Sequence, residues 1–183
     1  MRTLLLALLP VLAGCDDIFG TRDAHQPGAQ LGTFHVVGTR VSNTCGEGAL
    51  GTTPTWEFDV DLARDDGVLY WDNGAEVVSC ALADDDKTFS VETLIVVNMR
   101  SEETTGYGPC SVRRRDVASG ALSDAGEEVK KFTATLAYDF APTEGSQCWD
   151  LVEGEQPIFA ALPCAMTYTL SATRTAAPPP PSP

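Results

Sequence analysis

From residue 33 onward the chain alternates apolar and polar side chains with a period of two, the pattern of strands that bury one face. In residues 55–63, Trp56, Phe58, Val60 and Leu62 share one face, and Glu57, Asp59 and Asp61 share the other. Residues 131–140 place Phe132, Ala134, Leu136, Tyr138 and Phe140 together, and 165–172 do the same with Met166, Tyr168 and Leu170. Residues 87–97 alternate Phe89, Val91, Thr93, Ile95 and Val97 before turning wholly apolar. Weaker runs lie at 33–41, 68–71, 76–82 and 110–117. No segment carries a helical period. The pattern predicts an all-β domain of about eight strands.

The connections alternate in character. Asp65-Asp66-Gly67 and Asp72-Asn73-Gly74 are tight hairpin signals, Asp84-Asp85-Asp86 is another short turn, and 118–128 is a looser one. Longer connections lie at 42–54, 98–108 and 141–162. Strands running up and down would gather the Asp65, Asp84 and 118–128 turns at one end, and the long loops and the Asn73-Gly74 turn at the other. Cys45, Cys110, Cys148 and Cys164 then fall at the long-loop end, with Cys80 alone in mid-strand.

The expected architecture is therefore an eight-stranded antiparallel up-and-down barrel, with a two-sheet β-sandwich as the alternative. The order Cys45, Trp56, Cys110 is that of an immunoglobulin-like sandwich, but Cys45 sits in Asn43-Thr44-Cys45-Gly46, a loop sequence. In a closed meander the first and last strands are neighbours, which favours Cys45–Cys164, and strands six and seven are neighbours, which favours Cys110–Cys148. Cys45–Cys110 with Cys148–Cys164 is the second choice. Cys80 reads as a small buried hydrophobe.

Gly32-Thr33-Phe34 resembles the Gly-x-Trp signature of lipocalin and calycin barrels, with Phe in place of Trp, and Arg174 follows the last strand where that family often places an arginine. The long helix that follows such barrels has no counterpart here. The resemblance implies a barrel enclosing one small apolar ligand. Trp56, Phe58, Phe89, Phe132, Leu136, Tyr138 and Tyr168 would line the pocket, reached from the long-loop end, although rings at strand spacing also simply make a core.

At the N-terminus, Arg2 precedes an apolar run from Leu4 to Leu12 that is too short to span a bilayer but suits a secretory signal peptide. Leu12-Ala13-Gly14-Cys15 resembles the lipobox of bacterial lipoproteins. That resemblance implies cleavage before Cys15 and its modification by a diacylglyceryl group and a further acyl chain such as palmitate, a permanent anchor. The organisation expected is a signal peptide at 1–14, a lipidated tether at 15–31, the β domain at 32–175 and a Pro-rich tail at 176–183. The location expected is the bacterial cell envelope, on its periplasmic face or at the cell surface.

Charge narrows the function. The formal net charge is −14, and removal of residues 1–14 takes away only Arg2, leaving −15. Such a surface argues against nucleic acid and against electrostatic adhesion to anionic lipid, so the tether alone would hold the protein at the membrane. The two histidines, His25 and His35, belong to no catalytic or metal-binding motif, and neither an enzyme nor a cofactor is expected. The acidic turns fit no known Ca²⁺ pattern. Arg113-Arg114-Arg115 is the one basic cluster; strand alternation separates Arg114 from the other two, and pairing with neighbouring acidic strands is expected. The partner is then either a small apolar molecule or another envelope protein.

Overall fold

A computed structural model describes residues 27–49, 53–75, 77–101, 106–126 and 128–177. The expected signal peptide, the lipidation site Cys15, most of the tether and residues 178–183 lie outside the described residues. The strands are β1 (Ala29–Asn43), β2 (Thr55–Asp65), β3 (Val68–Asp72), β4 (Val77–Ala81), β5 (Thr88–Arg100), β6 (Cys110–Leu122), β7 (Lys131–Pro142) and β8 (Cys164–Ala176). A helix of one turn, α1 (Asp150–Glu153), sits in the last long connection.

All eight strands join one antiparallel sheet in the order β4-β3-β2-β1-β8-β7-β6-β5. Pairing of β1 with β8 curls the sheet into a nearly closed up-and-down barrel. One continuous sheet replaces the sandwich alternative. The last seam, between β4 and β5, is held among the described residues by the Leu82–Phe89 bridge and the Ala83 N–H to Thr88 carbonyl bond of 2.8 Å. The cause is strand length: β4 has 5 residues and β5 has 13, so the upper part of β5 rises past the β3–β4 hairpin.

Several strands run longer than the alternation pattern: β5 reaches Arg100, and β8 reaches Ala176, the first residue of the expected tail. β1 starts at Ala29 rather than residue 33, because Leu31 and Phe34 are fully buried and Gln30 pairs with Ala63 across a register shift. β6 continues through Gly120 to Leu122, where a loose turn was expected. A side chain at Gly120 would strike the backbone of Thr133 and Ala134, so this glycine serves the close approach of β7 within a strand, not a turn.

Cys45 is bonded to Cys164 and Cys110 to Cys148, the pairs that neighbouring strands bring together. Cys80 is buried and unpaired, with its thiol pushed up by desolvation. The end of the barrel at which β1 begins is solid. Phe132 there contacts Phe34 at 5.7 Å, Phe89 at 6.0 Å and Trp71 at 5.3 Å between ring centroids. Leu31, Leu62, Leu69, Leu122 and Val129 fill the space around these rings.

Candidate ligand-binding site

The upper half of the barrel holds a cavity of about 260 Å³. Its first wall is aromatic. Trp56 stacks on Phe58 with centroids 4.8 Å apart and planes at 25°, and Phe58 leads to Trp71 at 6.2 Å. Trp56 lies on Gly38, its register partner on β1, and a Cβ at Gly38 would come within 2.8 Å of the indole ring. The missing side chain therefore sets where the aromatic shelf lies. The opposite wall comes from Val91, Thr93 and Ile95 on β5, and Leu136 and Tyr138 of β7 close the back.

Among the described residues, two charged side chains face this interior. On β6 the inward positions run Val112, Arg114, Asp116, Ala118, with Val112 and Ala118 buried in the core. Arg114 Nε donates to Asp116 Oδ1 at 2.8 Å and its Nη2 to Oδ2 at 2.7 Å, a bidentate pair between residues two apart on one strand. The guanidinium also sits 5.4 Å from the Tyr138 ring centroid. Burial, reinforced by the Asp116 carboxylate, pushes the Tyr138 phenol up to about 12, so it stays protonated. The cavity thus combines apolar walls with a polar corner where Arg114 and Asp116 meet.

Of the residues expected to line a pocket, Trp56, Phe58, Leu136 and Tyr138 do so. Tyr168 faces an adjoining recess with Thr53, Trp56 and Tyr138. Phe89 and Phe132 instead belong to the closed aromatic core below, where their rings touch Trp71. Sequence reasoning missed Trp71, Arg114 and Asp116. Arg114 pairs within its own strand, unlike Arg115, which follows the expected course by binding Glu92 of β5 at 2.6 Å and approaching Asp139 of β7 at 3.7 Å. The inward parity of Val112 and Ala118 is the signal that could have placed Arg114 and Asp116 inside.

Arg100 ties two long loops together, donating to the Gly108 carbonyl at 2.8 Å, the Gln147 carbonyl at 2.8 Å and Asp150 at 2.6 Å. That guanidinium holds the Asp150 carboxyl below its ordinary range. Asn73 and Val78 on one side and Thr93 and Ile95 on the other line the cavity where β5 rises past the β3–β4 hairpin.

His35 stands on the outer face, away from the cavity. Its Nδ1 lies 2.9 Å from Asp59 and its Nε2 3.4 Å from Glu57, and these carboxylates raise its pKa above the ordinary 6.5. Among the described residues, no three His, Cys, Asp or Glu side chains are grouped to hold a metal ion. Phe34 and Arg174 are register partners across β1 and β8, and Arg174 Nη1 donates to the Leu31 carbonyl at 3.5 Å. Comparison of the chain with protein-family models, curated proteins and solved structures finds no match.

Proposed function

We propose that this protein is a lipid-anchored bacterial envelope protein, without catalytic activity, that binds a small, largely apolar molecule in the open half of its barrel. The observation that carries the reading is the contrast between the two halves of one interior. Rings fill the end where β1 begins to the centre, whereas Trp56, Phe58 and Trp71 toward the other end face about 260 Å³ of unfilled space. Apolar walls with a few convergent polar groups are the general form of a small-molecule site. The volume lies just under the roughly 300–1,000 Å³ usual for drug-sized ligands, which points to a smaller guest. The anchor half of the reading rests on the lipobox resemblance at Cys15 and on the exported context that its cysteines suit.

Native mass spectrometry tests the proposal on the mature chain carrying Cys15→Ser, purified from its own host. A co-purifying mass of one small molecule is the expected result. A clean apo mass, together with capture of one envelope protein, would favour an interaction module, for which the exposed edge of β5 is the surface at hand.

A further inference from the structure

The polar corner of the cavity narrows the chemistry of its occupant. Resting on the ligand-binding reading above, we infer that the guest is an uncharged, ring-sized molecule carrying a hydrogen-bond acceptor, held with its ring on the Trp56–Phe58 shelf and its acceptor on Arg114.

Arg114 has five N–H donors, and Asp116 takes two of them, one on Nε and one on Nη2. Among the described residues no acceptor engages its Nη1 group. The remaining donors thus suit a ligand oxygen, and a lone pair rather than a charge is what they lack. The guanidinium already has a carboxylate partner. Arg114 and Asp116 keep only 30% and 15% of their side-chain surface exposed, so their mutual field is poorly screened by solvent. A carboxylate entering the slot would set two anions around one guanidinium in a half-buried site. An ammonium would meet an Asp116 whose oxygens already bind Arg114. A neutral ketone, ester, amide or phenol meets neither penalty.

Shape gives the second half. The Trp56 and Phe58 rings lie within 25° of parallel and form one flat surface opposite the aliphatic Val91 and Ile95. A planar ring can lie on that surface in the offset arrangement aromatic pairs prefer. About 260 Å³ accommodates one substituted ring and excludes a long acyl chain.

Three isosteric probes separate these contributions on the mature Cys15→Ser chain: acetophenone, ethylbenzene and benzoate, titrated by calorimetry and by NMR of the Arg114 Nε–H signal. Acetophenone is expected to bind saturably and to shift that signal. Ethylbenzene, which lacks the acceptor, is expected to bind about tenfold more weakly, the usual scale for losing one hydrogen bond to a charged group. Benzoate should be the weakest of the three. Asp116→Asn leaves Arg114 uncompensated and should reverse the order, so that benzoate binds more tightly than acetophenone. The paired replacement Arg114→Met with Asp116→Leu keeps the volume and should make acetophenone and ethylbenzene bind alike.

Benzoate binding the wild-type chain as tightly as acetophenone overturns the inference, as does an order unchanged by Asp116→Asn. If no probe binds while native mass spectrometry still finds a small guest of another kind, this inference fails and the ligand-binding reading survives. If no probe binds and the mass is clean, both fail.

Discussion

Asp85 shows how a single carboxylate sets a turn. In the link from β4 to β5, its Oδ1 accepts the amides of Thr88 at 2.8 Å and Lys87 at 2.9 Å, and its Oδ2 accepts the Thr88 hydroxyl at 2.7 Å. These bonds, that from the Thr88 amide first, lower its pKa from 3.8 to about 2. A carboxyl group depressed by folding stabilises the native state above its unfolded pKa, and the contribution disappears as pH falls through the folded value. Asp85→Ala should therefore lower the thermal midpoint at pH 7, and the gap to wild type should close as the pH falls from about 4 towards 2. Calorimetric scans across that range check it, and a gap undiminished at pH 2 contradicts it. The run Asp84-Asp85-Asp86 announces a turn in the sequence, but the sequence does not say which carboxylate caps it. That choice depends on Asp86 adopting a φ of 53°, which turns the following amides toward Asp85.

At the scale of elements, β5 is the strand whose environment departs furthest from its pattern. Its Leu94 and Val96 project outward and remain 60% and 57% exposed, and Ile95 and Val97, directed inward, remain 40% and 46% exposed. β6 covers one flank, but beyond Phe89 no described strand pairs with the other. The carbonyl of Thr88 points to β4 and that of Lys87 to β6, so alternation turns the backbone groups of Glu92, Leu94, Val96 and Asn98 to the open side. Thr88–Arg100 contains neither Lys nor Pro, the residues that most often protect such edges. Val96→Lys is expected to change folding stability by no more than about 0.5 kcal/mol, because the site is exposed. The same variant should raise the temperature at which light scattering reports aggregation. A stability loss well above that figure would mean that Val96 is covered in solution.

For the whole molecule, closure of the sheet and the two disulfides act on the same parts. Cys45–Cys164 joins the ends of β1 and β8 across a separation of 119 residues, and Cys110–Cys148 fastens the last long connection to the start of β6. A long closed loop removes much entropy from the unfolded chain. Replacing Cys45 and Cys164 by Ala together should lower the unfolding free energy by about 2–5 kcal/mol, measured by urea titration. The β1–β8 pairing, ten register partners long, should persist in the folded state of that variant, seen as retained amide protection in hydrogen exchange.

The alternation of residues 55–63, 131–140 and 165–172, with aspartate-rich turns between short runs, was enough to determine strands, their number and an up-and-down path. Side-chain parity and turn chemistry are local properties, and local properties are written in the chain. The same path placed four cysteines at one end, and neighbouring strands paired them. Which rings fill the core and which face a cavity was a tertiary decision. Phe89 and Phe132 have the same strand parity as Phe58 and Leu136, but they lie nearer the end at which β1 begins, where the ring cluster closes on itself. The rise of β5 past the β3–β4 hairpin likewise follows from the unequal lengths of β4 and β5 once the sheet has curled. The position of Arg114 and Asp116 inside the cavity depends on which face of β6 the curled sheet turns toward the axis.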